Sequence, residues 1–465
     1  MLLGSPAAAQ RDPEVDVRAR LFAEVGAGVA AIKSRTVPVG QTSRSAPIPD
    51  QARAAAPTTD SAKPQASAAS APSAPSEEKL YYLLIPALRT EGAEAGGATV
   101  LVFRDDGTRV AQIPAPPAAL RAKSTQAGAS APSGTAAAGG AATGRGPSGS
   151  GAATDASAAG ATVADLQAVP PAPPLVVYGH DFDVDAQGRV FIADRAANAV
   201  KIFNADGTPA GAIRVAAPTS VAALANGEVA VTSLRGAKLV TVYAERPAVS
   251  LGSASALATS GASSRATTPA PSAAKAASAP EASTWRAIRE FGEPADIADP
   301  DAPADLKRFL NLGRLARDPD NHIYYAFAYA PEPTVRKYDA FGYKLYETEL
   351  ATLDFFASAQ SARRNIDRLG QSRFSLGAVI NPGFTATVTA LAADPATQEL
   401  WVALGGQLLH FGPDGIRRQT YRLFTRDGIR VEASAILVEP DRLIIASDTQ
   451  GVFEFPRPDK SRRPR

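Results

Sequence analysis

A pattern that returns along the chain constrains this sequence more than anything else in it. "DFDVDAQGRVFIADRAANAVKIFNADG", from Asp181, can be laid over "GRLARDPDNHIYYAFAYAPEPTVRKYDAFGYKLYETEL", from Gly313, and over "VTALAADPATQELWVALGGQLLHFGPDGIRRQTYRL", from Val388. Each copy reads strand, acidic turn, strand, short connection, strand, glycine turn, strand. Apolar and polar residues alternate within the strands, the period of a half-buried sheet. "ATVLVFRDDGTRVAQIP", from Ala98, matches the second half only. Gly107, Gly207, Gly342 and Gly415 recur at equivalent turns, where a tight hairpin needs a positive φ.

Two fainter copies follow the same plan. "SVAALANGEVAVTSLRGAKLVTVYAER" has three strands, and its fourth is expected after a linker, as "TWRAIREFG"; "SAILVEPDRLIIASDTQGVFEF" also has three. An opening unit, "KLYYLLIP" plus the Ala98 segment, has three strands and lacks its first. Six units, incomplete at the two ends, describe a ring closed by pairing terminal strands, since an open array would want capped ends. The expected fold is all-β: a six-bladed β-propeller with disordered Ala/Ser/Gly/Pro-rich insertions and one short helical insertion.

The expected organisation is a first segment, 1–77, with a signal remnant, a short helix and a disordered linker. A single propeller over 78–459 follows, with blades near 78–116, 176–215, 219–292, 311–350, 386–424 and 432–456. Linkers 118–172 and 248–283 interrupt it, and residues 460–465 form a basic tail. The linkers are almost pure Ala, Ser, Gly, Pro and Thr, too poor in apolar surface to offset chain entropy.

The blade from Asp181 resembles an NHL-type repeat. Val184, Asp185, Gly188, Val190, Phe191, Ile192, Ala193, Asp194, Asn198, Ile202, Phe203 and Gly207 fit its pattern, while Asn198 has no clear counterpart in two other blades. The resemblance implies a fold and little chemistry, because such propellers include binding platforms and enzymes alike.

Composition excludes several functions. The chain has no cysteine, so disulfide frameworks, thiolate metal sites and Cys nucleophiles are out. With 48 basic and 46 acidic residues the net charge is +2, which argues against a nucleic-acid partner. No apolar run is long enough to span a membrane as a helix. "MLLGSPAAAQ" is similar to the end of a signal peptide, so a periplasmic or secreted protein is expected. No phosphate-loop, Gly-x-Ser-x-Gly or His-Glu-x-x-His pattern occurs.

Asp183, Asp185, Gln187, Gly188 and Asp194 have the spacing of an EF-hand loop, but no helix flanks them and Val190-Phe191-Ile192 must lie in a strand; the hairpin is the expected reading. The three histidines are expected apart: His180 at the channel mouth, His322 at the opposite rim and His410 well out from the axis. The candidate ligand-binding residues are therefore His180, Asp181, Asp194, Arg195 and Asp448, all on the channel-mouth rim; a turn-capping role for the Asp194 and Asp448 carboxylates is the plainer alternative. Catalytic residues, metal ligands and cofactors are expected to be none. Phe355, Phe356, Ala359, Ala362, Ile366 and Leu369 share one helical face, opposite Arg363, Arg364 and Arg368, and "DAPADLKRFLNL" is a shorter candidate of the same kind. The expected function is a non-catalytic, monomeric scaffold recognising a protein or small ligand at the channel mouth. The alternative is a propeller hydrolase or lyase with a divalent metal in the channel.

Overall fold

The computed structural model describes residues 15–18, 20–23, 28–38, 77–86, 97–115, 175–246, 284–350, 352, 356–370 and 384–458. All of them fall in one compact unit. The expected linkers 118–172 and 248–283, the signal-like start and the basic tail lie outside the described residues.

Two short strands come first, β1 (Val15–Arg18) and β2 (Arg20–Ala23). The first sheet is β3 (Ala31–Pro38), β4 (Glu77–Ile85), β5 (Thr99–Arg104) and β6 (Arg109–Ile113). The second is β7 (Gly179–Val184), β8 (Val190–Asp194), β9 (Ala199–Phe203) and β10 (Pro209–Arg214). The third is β11 (Pro218–Ala223), β12 (Val229–Ser233), β13 (Val240–Arg246) and β14 (Thr284–Phe291), the last returning to pair antiparallel with β13. The fourth follows helix α1 (Ala304–Leu310) and comprises β15 (Gly313–Arg317), β16 (Ile323–Phe327), β17 (Thr334–Tyr338) and β18 (Lys344–Glu349). Helix α2 (Phe356–Gly370) leads to the fifth: β19 (Val388–Ala393), β20 (Leu400–Leu404), β21 (Gln407–Phe411) and β22 (Arg417–Phe424). The sixth has β23 (Ala435–Val438), β24 (Arg442–Ser447) and β25 (Gly451–Pro456).

The start of the chain completes the last two blades. β2 pairs antiparallel with β25 as the fourth strand of the sixth sheet, and β1 adds in parallel to β22 as a fifth strand of the fifth. This corrects two expectations. The described residues of 15–38 hold three strands rather than a short helix, and the first blade does not lack its innermost strand, because β3 supplies it. Closure therefore runs one way: the N-terminal strands complete the C-terminal blades, and the first blade borrows nothing.

The core is six wedges, one between each pair of neighbouring blades. Alternation along the second strands fills them, since successive side chains point to opposite faces. In β8, Val190 and Ile192 enter the wedge shared with the first blade, while Phe191 and Ala193 enter the wedge shared with the third. In β16, Ile323, Tyr325 and Phe327 face back to the third blade and Tyr324 and Ala326 forward to the fifth. Trp401 and Ala403 of β20 meet Leu443 and Ile445 of β24, and Ile444 and Ala446 meet Tyr81 and Leu83 of β4. That last wedge joins the sixth blade to the first and closes the ring. Both faces of a blade are thus buried, which is why a strand such as Val190–Asp194 has no exposed residue. The outer strand β10 is mostly exposed.

Gly107, Gly207, Gly342 and Gly415 take φ of 80°, 80°, 96° and 76° in the hairpins joining third to fourth strands, as the repeat predicts. Gly313 is small for a different reason: a Cβ there would lie 2.3 Å from the Tyr325 ring and 2.6 Å from the Ala326 carbonyl.

The innermost strands are tied around the axis by side chains. His180 Nδ1 meets the Thr219 carbonyl at 2.7 Å. The Leu315 N–H donates to Ser220 Oγ at 3.1 Å, the Thr389 hydroxyl to the Ala433 carbonyl at 2.5 Å, and the Ser434 hydroxyl to the Val29 carbonyl at 2.7 Å. His180, Thr219 and Thr389 each fall at a β-bulge near the start of an inner strand. A bulge re-aims the side chain it carries; here it turns His180 and Thr389 onto the backbone of the next blade.

Two helices, not one, are present among the described residues, and both lie in outer-to-inner connections on the channel-mouth side. Leu306, Phe309 and Leu310 of α1 pack with Ile366 of α2, Leu234 and Phe384. The expected apolar face of α2 is buried at Ala359 and Ile366, and Arg363 and Arg364 are exposed. Neither helix is long and apolar enough to cross a membrane.

Candidate functional site

The channel throat is narrow. Ala30, Lys33, Asp181, Arg314, Leu391 and Ser434 are among the residues around a cavity of about 30 Å³, room for about one or two waters. Its charges are tied down. Asp183 lies 3.5 Å from both Lys33 Nζ and Arg317 Nε, and accepts the N–H of Ala223 at 2.9 Å. Asp181 Oδ2 accepts the Ser220 hydroxyl, and the Val221 N–H at 3.3 Å. Burial pushes the Asp181 carboxyl above its ordinary range, against the pull of Lys33, the Ser220 hydroxyl and Arg314.

Ser220 is the hinge of this arrangement. Its hydroxyl donates to Asp181 of the second blade and accepts from Leu315 N–H of the fourth. Ser220→Ala leaves the buried Leu315 N–H without its acceptor and takes the hydroxyl donor from a buried carboxyl that keeps only backbone N–H groups, each change worth about 1–3 kcal/mol. The variant is expected to lose about 2–3 kcal/mol in urea denaturation; a loss indistinguishable from zero would mean that water replaces the hydroxyl without cost.

Arg314 borders the throat and also reaches the group of side chains at the mouth. Tyr178, His180, Arg195, Arg314 and Tyr329 are all half-buried. The rings of Tyr178 and His180 are 6.5 Å apart, the Arg195 N–H bonds the Tyr178 carbonyl at 3.2 Å, and Tyr329 packs on Phe309 of α1 with ring centroids 4.5 Å apart. Because a carbonyl only accepts, His180 Nδ1 donates to Thr219, so a neutral ring presents an unprotonated Nε2. Burial, helped by Arg314 and Arg195, holds the His180 pKa down to about 4. Burial also lowers Arg195 and raises Tyr329.

An unfolded imidazole titrates at about 6.5. Between that value and about 4 the unfolded chain takes up a proton that the folded His180 ring refuses, so stability falls as the pH drops through this window. His180→Gln removes that share, and its unfolding midpoint is expected to decline less than the parent's across the same range. Parallel declines would show that the ring is not held neutral.

The structure brings together His180, Asp181 and Arg195 of the expected set. It commits Asp194 to the backbone instead: fully buried, this carboxylate accepts the N–H groups of Val177, Tyr178 and Ala197 at 2.8, 3.1 and 3.1 Å. Asp448 is exposed and does not match Asp194. Ser447, paired with Gly451, takes the last paired place of β24, as Asp194, paired with Ala199, does in β8. Tyr178, Arg314, Ser220 and Lys33 are not marked by the sequence as site residues, and Tyr329 stands out there only as one of the aromatics of "HIYYAFAYA", for which a strand-core role is the plainer reading. Arg314 was legible only as the polar second residue of an inner strand, the place His180 occupies in β7.

The EF-hand spacing does not make a cation site. Asp183 faces the channel, Asp185 holds Arg189 and its own turn, and Asp194 lies at the other end of the hairpin. The histidines are apart as expected; His410 stacks on Trp401 with centroids 4.1 Å apart. Among the described residues, Asp318, Asp320 and His322 cluster on the opposite rim. There Asp318 bonds His322 Nδ1 at 2.8 Å and lies 3.5 Å from Lys337 Nζ, which already supplies the cation. A larger hollow of about 1330 Å³ opens at the outer edge around Leu21, Ile429 and Phe453. Arg442 in its wall is bound by Glu439 at 2.7 Å and Glu454 at 3.3 Å.

The six sheets, each wedged against its neighbours around one axis, decide the architecture. The chain is a six-bladed β-propeller. No family model matches it, and no curated protein does. A solved structure similar to this propeller is that of a streptogramin B lyase, at 9% identity and a TM-score of 0.31. The alignment spans 61% of this chain and 66%, just under two thirds, of that one.

Proposed function

We propose that this propeller is a non-catalytic binding platform, working at the channel mouth on a small ligand or a protein segment. The observation that carries the reading is the contrast along the axis. The throat holds about 30 Å³ and its carboxyls are engaged, whereas the mouth presents half-buried cations, tyrosines and one imidazole. Rigid blades fix the loops that carry these groups, the usual way a scaffold positions recognition. An NHL-like ancestry and export to the periplasm or beyond belong to the same proposal.

The hydrolase or lyase alternative needs imidazoles and carboxylates converging on an ion. At this mouth the single imidazole faces Arg195 and Arg314, which oppose a divalent cation. Metal analysis of the purified protein separates the readings. The platform predicts no stoichiometric divalent ion bound through His180; an ion present one-to-one and lost in His180→Ala would overturn it. Hydrogen exchange with a panel of acidic, basic and uncharged small molecules then locates binding. Protection is expected at residues 175–180, 194–198, 216–219 and 328–332, and protection confined to the Asp318–His322 rim would count against the mouth.

A further inference from the structure

We propose that the channel mouth is an anion-binding site, built to hold a carboxylate or phosphate group between Arg195 and Arg314, with Tyr178 and Tyr329 as flanking hydroxyl donors. The proposal rests on the mouth being the binding face and names the chemistry that face selects.

Unpaired positive charge is the first observation. Several arginines elsewhere on this surface find acids: Arg189 meets Asp185 and Glu245, each at 2.7 Å, and Arg289 meets Glu228. Arg418 meets Asp414 at 2.6 Å and Arg442 meets Glu439 at 2.7 Å. Arg195 and Arg314 are half-buried as well, yet among the described residues neither has a carboxylate within ion-pair distance. The acid next to Arg195 in sequence, Asp194, is spent on three backbone N–H groups. Asp181, which shares the channel with Arg314, is taken by Ser220 and Val221.

The second observation is the balance below. Lys33 and Arg317 share a single carboxylate, Asp183, in the throat. With Arg195 and Arg314, four cations stand along this path beside two carboxyls, Asp181 and Asp183, among the described residues. A half-buried guanidinium without a partner is costly and keeps much of its attraction for an anion that displaces water. The throat is too small to admit a ligand, so the anion stays at the mouth.

His180 provides a built-in reporter. The groups around it are Tyr178 before β7, Arg195 after β8, Thr219 on β11, Arg314 on β15 and Tyr329 after β16. A bound anion offsets the two guanidiniums and makes the imidazolium less costly, so the His180 pKa rises.

The full chain is titrated with inorganic phosphate and, separately, with succinate, at constant ionic strength held by sodium chloride. Binding is read by calorimetry and by the His180 ring resonances across pH. Saturation by either probe with an upward shift of the His180 pKa supports the site, and which probe binds tells phosphate from carboxylate. Arg195→Gln and Arg314→Gln are each expected to weaken binding about tenfold or more, while Arg363→Gln, on the exposed face of α2, leaves it unchanged. Thermal unfolding of each variant checks that it is folded. Binding that survives Arg195→Gln/Arg314→Gln together overturns the proposal, as does failure of both anions up to about 10 mM, an affinity of little over 2–3 kcal/mol. If uncharged molecules still protect the mouth in hydrogen exchange while both anions fail, the anion site falls and the platform stands.

Discussion

Arg457→Ala is expected to cost about 3–5 kcal/mol of folding free energy, read as a fall in the denaturant midpoint at unchanged slope. Arg457 follows β25, and its side chain is fully buried. It reaches Asp394 at 2.6 Å and Glu399 at 3.1 Å in the fifth blade, donates to the Glu439 carbonyl at 3.1 Å, and lies 5.7 Å from the Trp401 ring centre. The alanine variant strands Asp394, which is also shielded from water, without its guanidinium. Burial alone would raise the Asp394 carboxyl, but the Ala396 N–H, the Thr397 hydroxyl and Arg457 outweigh it and hold it below the ordinary range. The share of stability from this carboxylate is therefore whole above about pH 4 and drains as the pH falls through the lowered folded value. Arg457→Ala should reduce that acid sensitivity as well as the midpoint. A loss below about 1 kcal/mol would show that the surroundings relax to rehydrate Asp394.

Deleting residues 1–23 should lower the thermal midpoint by several degrees, since each kcal/mol moves a domain of about 150–250 residues by roughly 2–4 °C, a larger one by less, and two strands are removed. The deletion takes β1 from β22 and β2 from β25. It also bares the N–H and C=O groups along β25, an edge that recruits other strands. Light scattering should therefore report self-association of the shortened chain along with its lower midpoint. A monodisperse protein melting with the parent would mean that the last wedge, not strand pairing, holds the ring shut.

Much of the ring was legible because hairpins are local. In "DFDVDAQGRVFIAD" the alternation, the acidic turn and Gly188 all act within a few residues, and the same grammar located β15–β18 and β19–β22. β1 and β2 were illegible for the opposite reason. "VDVR" and "RLFA" are four residues each, and their partners lie at the far end of the chain. β3 was hidden because Lys33, Ser34, Arg35 and Thr36 interrupt its apolar pattern and its hairpin partner, β4, begins only at Glu77. The mouth was half legible. His180 and Arg195 come from one blade and could be read together, but Arg314 and Tyr329 join them only through the curvature of the ring. Asp194 stood open between two roles, because a buried carboxylate that caps a turn and one that awaits a ligand look alike in sequence; the turn-capping role is the one it takes.

The one-way closure sets an order of events in folding. β1 and β2 are synthesised well before their partners β22 and β25, so they wait without a mate while the strands between are made. Their brevity and the charges at Asp16 and Arg20 suit that wait, since a long apolar strand left unpaired would invite aggregation. Locking the ring is then a late, long-range step, slow in the way that distant contacts are slow. Until it happens, consecutive blades can pack through their shared wedges, but the fifth and sixth lack their N-terminal strands.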